Sequence, residues 1–335
     1  MKLITFGEVM LRLSPTGVDR LTQSSTLTMH FGGTEANVAV SMAQFGVPVA
    51  HVSRFPNHAI GQAAAGYLRR YGVDTQSVRF GDGRMGLYFL ETGAGTRASQ
   101  IIYDRVDSAF SRIKPDEIDW ESILAGTPES PVSWFHWTGI TPALSQGAAD
   151  CLLAGIQTAN RLGIPVSGDI VYRSNLWQYG RSPKEIMPAL TEGCTLVLGS
   201  KSLFSELYGV VGSTFQEAGR ALMQRFPNIR YVTDTKRNSV SASHNQLSAK
   251  LFDGETVYKS RLYDIQPIVD RIGTGDAYMA GLIYGLLTFN DPQRAVEFGA
   301  AASALKHTIA GDVNLATVAE VETLERGDGS GRLKR

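Results

Sequence analysis

The stretch Asp270-Arg-Ile-Gly-Thr-Gly-Asp276 has residue types and a spacing that can do chemistry. Gly273, Thr274 and Gly275 are small enough to let consecutive backbone N–H groups converge on one point. The apolar, helix-forming run that starts at Asp276 puts the positive end of a helix at the same place. A carboxylate beside such an anion pocket can accept the proton of a hydroxyl while the pocket holds a phosphoryl group in transit. Asp276 next to this turn therefore points to phosphoryl transfer onto an alcohol. Taken alone the pattern is weak, because glycine turns before helices are common and Asp is frequent in a first helical turn.

A second glycine pair, Gly32-Gly33, opens the helical run Thr34-Glu-Ala-Asn-Val. The glycines let a ligand approach the backbone, and Asn37 offers an amide to the same space. No Gly-x-Gly-x-x-Gly is present here, so a dinucleotide reading fails. Trp134, His136 and Trp137 invite a site assignment, but a buried central strand explains them better.

Both glycine sites need a scaffold. Short apolar runs at Leu3–Phe6, Val49–Val52, Trp134–Thr138, Pro165–Asp169, Thr195–Leu198 and Arg230–Thr233 read as strands. Longer helical runs fall at Ala36–Phe45, Ala59–Tyr71, Ser145–Leu162, Thr214–Phe226, Asp276–Leu287 and Asp291–His307. Gly46, Gly72 and Gly163 supply helix stops before the next strand. Such alternation predicts an α/β fold with a parallel sheet covered by helices on both faces. Residues 8–31 and 78–110 break the rhythm with turn-rich, strand-like sequence. They are expected to form a small antiparallel sheet that projects over the carboxyl ends of the central strands, where open α/β sheets bind ligands. Residues 326–335, rich in glycine and charge, read as a frayed tail after a single domain over 1–325.

Lys and Arg number 32, as do Asp and Glu, so no basic surface for nucleic acid is expected. No run approaches the roughly 18 uninterrupted apolar residues of a membrane span, and the opening Met-Lys-Leu-Ile-Thr-Phe lacks a signal-peptide pattern. Cys151 and Cys194 have no disulfide or metal-ligand spacing and read as buried free thiols. A cytoplasmic location follows as the expectation.

Together, Gly-Gly-x-x-x-Asn at 32–37 and Asp-x-x-Gly-x-Gly-Asp at 270–276 resemble the two signatures of the PfkB (ribokinase-like) carbohydrate kinases. The resemblance covers nearly the whole chain, and within the family it is nearest to the 2-keto-3-deoxygluconate kinases. It implies a three-layer α/β/α fold with a mostly parallel central sheet and a protruding β-sheet lid. It also implies ATP and Mg2+, with no metal ligand assigned to the protein, and leaves open a monovalent cation near Asp270. By the same resemblance Asp276 is the general base and Gly273, Thr274 and Gly275 form the anion cradle. Gly32, Gly33, Asn37, Tyr88 in Gly86-Leu-Tyr, Tyr103 and Arg105 in Tyr-Asp-Arg, Arg173 and Asp312 would face the sugar acid. Ser200, Thr233, Thr235 and Ser239 would face the nucleotide. Physical chemistry supports the arginines independently, since a sugar acid carries a carboxylate that a guanidinium can grip with two hydrogen bonds.

Three segments depart from the family pattern. Ser200-Lys-Ser-Leu203 stands where Asn-x-x-Glu organises the metal, with Glu206 three residues further on. Thr233-Asp-Thr-Lys-Arg-Asn-Ser239 replaces a glycine-containing nucleotide loop, and Val171 replaces an asparagine after Asp169. These departures keep in view a catalytically weak protein that binds sugar acids; a PfkB kinase of a neutral sugar such as fructose or ribose is the other alternative. A protruding sheet would also expose an edge, so a homo-oligomer is expected.

Overall fold

The computed structural model describes residues 1–327; the expected tail residues 328–335 lie outside them. The chain begins β1 (Lys2–Phe6), β2 (Met10–Ser14), β3 (Thr28–Gly32), α1 (Thr34–Gln44), β4 (Val49–Pro56) and α2 (Ala59–Arg70). It continues through β5 (Val78–Gly81), β6 (Gly86–Glu91), β7 (Gln100–Asp104), α3 (Trp120–Ala125), β8 (Val132–Thr138) and α4 (Gln146–Arg161). Next come β9 (Val166–Asp169), α5 (Pro183–Glu192), β10 (Leu196–Leu198), α6 (Lys201–Tyr208) and α7 (Phe215–Arg225). The last third holds β11 (Tyr231–Ser241), β12 (His244–Phe252), β13 (Val257–Lys259), β14 (Tyr263–Ile265), α8 (Thr274–Thr288), α9 (Pro292–Lys306) and α10 (Val318–Glu325).

The main sheet runs β13-β12-β11-β10-β9-β8-β1-β4-β5, with β14 also paired to β12. From β11 to β5 every pair is parallel, and only the β11–β14 end is antiparallel. Two cores flank the sheet. Leu3 and Val49 point into one, with α1, α2, α8 and α9, whereas Ile4, Phe6 and Val52 point into the other, with α3 to α7. Burial on both faces is why these strands read as continuous apolar runs. The buried Trp134, His136 and Trp137 belong to β8, where Trp134 Nε1 and His136 Nδ1 both lie 2.8 Å from Ser167 Oγ.

The second sheet has the order β3-β2-β6-β7. It departs from expectation in two ways. Its centre is parallel, β2 against β6, with antiparallel pairs only at the edges. The chain leaves after β3, builds α1, β4, α2 and β5, and returns, and such a crossover is what parallel pairing requires. Residues 78–81 are not lid at all, because β5 pairs with β4 at the edge of the main sheet.

Register gives the lid two faces. One row across it reads Met29, Leu13, Phe89, Ile102, and the neighbouring row on the other face reads His30, Arg12, Tyr88, Tyr103. The period of two along each strand sends these two rows to opposite faces. The face that carries Tyr88 and Tyr103, together with Met10, Leu90 and Ile101, looks onto the region where β9 ends and α1 and α8 begin.

Candidate active site

Gly273 caps α8 in the left-handed region, with φ 77°, and a Cβ there would stand 1.8 Å from the Asp312 carbonyl oxygen. Only glycine makes this turn. The first helical bond of α8 runs from Ala277 N to Gly273 O at 2.9 Å, so the N–H groups of Thr274, Gly275 and Asp276 precede the ladder. Thr274 is braced on both sides: its hydroxyl donates to Arg271 O at 3.1 Å, and Ser303 Oγ of α9 donates to its carbonyl at 2.7 Å. A Cβ at Gly275 would meet nothing within 4 Å, so the space before the cradle is open.

Asp276 sits in the first turn of α8, 8% exposed, and its Oδ2 accepts a hydrogen bond from Asn37 Nδ2 at 2.7 Å. Burial holds its pKa well above the usual carboxylate range, against the Asn37 hydrogen bond, and the charges of Asp169, Glu35 and Asp312 raise it further. A carboxylate of raised basicity beside free N–H donors can take a proton from a hydroxyl.

Two cavities meet at this point. The first, about 480 Å³, is walled by Glu8, Asn37, Tyr88, Tyr103, Arg105 and Asp312, with Gly32, Gly33 and Asp276 at its floor. The second, about 630 Å³, is walled by Ser200, Ser202, Glu206, Asp234, Thr235 and Arg237. Asp169, Arg173, Arg237, Thr274 and Gly275 border both.

Hydrogen bonding divides the expected residues into free groups and committed ones. Arg173 lies in the exposed loop after β9, and among the described residues its side chain makes one hydrogen bond, to the Tyr172 carbonyl at 3.5 Å. Tyr103 is half-exposed, its ring 5.9 Å from that of Tyr88. By contrast Arg105 is bound to Glu8, with Nε at 2.9 Å from Oε2 and Nη2 on the same oxygen. Tyr88 donates its hydroxyl to Asp312 Oδ2, while Arg12 Nη1 reaches Asp312 Oδ1 at 3.0 Å and Asp270 Oδ2 at 2.8 Å. Gly32 must lack a side chain because a Cβ would fall 2.2 Å from Asp312 Oδ2. At Gly33 the obstacle would be the Glu8 carbonyl, at 1.9 Å.

On the nucleotide side the expected residues do not share one cavity. Ser200 caps α6 and lines the second cavity with Thr235. Glu206, on the outer face of α6, reaches that wall as well. Thr233 does not: it is fully buried, donating to Lys250 O at 2.7 Å and contacting the Tyr278 hydroxyl at 2.5 Å. Ser239 opens instead onto a separate hollow beside Gly95 and Arg271. Both displacements have one cause. β11 continues as an eleven-residue strand paired with β12, where a loop was expected to leave the sheet after Thr233.

Sequence reasoning missed Glu8, Arg12 and Glu35. Glu35 is buried, accepting from Thr138 N at 3.1 Å, Thr138 Oγ1 at 2.9 Å, Thr141 Oγ1 at 2.7 Å and Thr34 Oγ1 at 2.7 Å. Its place directly after Gly-Gly-Thr was the available signal.

The pfkB family carbohydrate kinase model matches residues 1–317. The chain belongs to this family. A 2-dehydro-3-deoxygalactonokinase from Haloferax volcanii is 31% identical over 98% of both chains. The structure of a 2-dehydro-3-deoxygluconokinase from Thermotoga maritima is 38% identical, with a TM-score of 0.91 over 98% of both chains. An E. coli structure in complex with ATP and Mg2+ shares the fold alone, at 18% identity and TM-score 0.78, over 97% of this chain and 99% of that one. This PfkB chain is thus a carbohydrate kinase of ribokinase-like architecture. Among the described residues no helix is long and apolar enough to cross a membrane.

Proposed function

We propose that this PfkB kinase transfers the γ-phosphoryl group of ATP to the terminal hydroxyl of a 2-keto-3-deoxy sugar acid, 2-keto-3-deoxygluconate being the leading candidate. The observation that carries this reading is the buried Asp276 carboxylate, held by Asn37 at 2.7 Å beside an open N–H cradle at the junction of two cavities. Asp276 takes the hydroxyl proton, and the N–H groups of Thr274, Gly275 and Asp276 face the charge of the group in transit. Arg173, an exposed guanidinium without an ion pair among the described residues, borders the first cavity and is the partner for the acid's carboxylate. Tyr103 is positioned to pack on the sugar.

The second cavity fits a nucleotide. Ser200, Thr235 and Arg237 line it, and the missing side chain of Gly275 leaves room for phosphate at the cradle. Glu206 and Asp234 on its wall suit a hydrated Mg2+ held chiefly by phosphates. ATP supplies the phosphoryl group and magnesium offsets its charge. The two free cysteines, both buried, suit the cytoplasm, where we place the protein. One observation favours the neutral-sugar reading: Arg105 is already occupied by Glu8.

ADP release measured over a panel of sugar acids and neutral sugars tests the proposal. Asp276→Asn is expected to lose about a thousandfold in kcat while retaining sugar-acid binding. Arg173→Ala is expected to raise KM for a sugar acid about tenfold to a hundredfold and to leave neutral sugars unaffected. Undiminished turnover by Asp276→Asn would refute the base assignment, and preference for neutral sugars would refute the substrate class.

A further inference from the structure

Lys306 ends α9 with its side chain fully buried, an unusual place for an ammonium. Among the described residues its Nζ makes one hydrogen bond, to the Ile309 carbonyl at 2.9 Å, and no ion pair. The turn that holds it forms the back of the anion cradle. Ser303, on the same helix, donates to Thr274 O at 2.7 Å. Val269 N and Asp270 N donate to His307 O at 2.8 Å and 3.2 Å, and Gly311 N donates to Asp270 Oδ2 at 3.0 Å. Burial lowers the ammonium's pKa, Asp270 and Asp312 raise it, Arg12 opposes them and Asp276 adds to them. The side chain therefore sits within the field of the acids that surround the cradle.

A monovalent cation near Asp270 does not fit this arrangement. Asp270 Oδ2 is shared by Arg12 and Gly311 N, its Oδ1 accepts from Ile272 N at 3.0 Å, and the Ile309 carbonyl serves Lys306. The oxygens that such an ion needs are held by a guanidinium, an ammonium and backbone N–H groups.

We propose that Lys306 is the built-in cation of this site, its ammonium standing behind the cradle so that phosphoryl transfer by this chain requires no monovalent metal ion. This rests on the kinase reading above, but it can be tested without turnover. A purely structural lysine, capping the end of α9, predicts lost stability on substitution and no ion in its place.

Crystals of the unaltered protein soaked in rubidium chloride are expected to show no anomalous peak near Asp270 and the Ile309 carbonyl. Crystals of Lys306→Ala are expected to show one in the vacated position. A peak in the unaltered protein overturns the proposal, as does an empty site in a folded Lys306→Ala. Should that variant fail to fold, the unaltered enzyme still decides by its rates in potassium and in tetramethylammonium chloride. They are expected to agree within about twofold, and activation by potassium of about tenfold or more overturns the idea. If no sugar is phosphorylated at all, the functional proposal fails, and the rubidium maps of the unaltered protein and of Lys306→Ala still judge this one.

Discussion

Arg105 and Arg173 look equivalent in the sequence, yet one is tied to Glu8 and the other is exposed, with no ion pair among the described residues. Composition and spacing cannot foresee this, because Glu8 lies 97 residues from Arg105. Asn37 is a similar case: expected to face substrate, it lines the first cavity but spends an N–H on Asp276, 239 residues away. Charge crowding belongs to the same scale. Burial, with the charge of Glu35, pushes the Asp169 carboxyl up to about 7, opposed by Arg173. The folded state thus keeps a proton that the unfolded chain releases near pH 4. Stability from this group is complete below the unfolded pKa and is lost as pH rises through about 7. Asp169→Asn should therefore raise the melting temperature more at pH 8 than at pH 5. Equal shifts at the two pH values, measured by calorimetry, would contradict the assignment.

Among the elements, the start of α8 decides most. Gly273 and Gly275 look alike in the motif, but their surroundings differ. A methyl at 273 collides with the Asp312 carbonyl and occupies a left-handed backbone, costing roughly 1–2 kcal/mol from the backbone alone. A methyl at 275 enters open space in an ordinary helical position. Gly273→Ala is expected to lower both melting temperature and turnover. Gly275→Ala is expected to leave melting within about 2 °C but to cut kcat about a hundredfold, by crowding the N–H cradle. Thermal melts read beside initial rates check the pair, and a fully active Gly275→Ala would remove the cradle from the mechanism. The nucleotide side shows where pattern reading stopped. Strand β11 reads clearly to Thr233, whereas its continuation to Ser241 depends on β12, a partner that the local sequence does not announce.

For the whole molecule, the lid's two faces carry different information. Tyr88 and Tyr103 on its inner row line the cavity, while Met29 and Ile102 end an outer apolar row, each about half exposed at 52% and 53%. A continuous apolar row on an exposed sheet is a surface that a second copy of the chain can cover. We therefore expect a homo-oligomer joined through the lid. Ile102→Glu should lower the sedimentation mass to that of a monomer of 36.3 kDa. An unchanged oligomer in that variant would place the interface elsewhere.

Local signals were legible without any structure. Glycine turns, the acid that follows them, helix stops and apolar periodicity all act within a few residues, so the α/β class could be read directly from the chain, and the turn and acid on which the proposal rests were visible there as well. Tertiary structure alone decided the parallel centre of the lid, the transfer of residues 78–81 to the main sheet, and the pairing of Arg105 with Glu8. It also brought Arg12, Asp270, Lys306 and Asp312 together behind the cradle. Such pairings join residues up to 300 positions apart, and long-range charge and hydrogen-bond partners leave no mark on local sequence pattern.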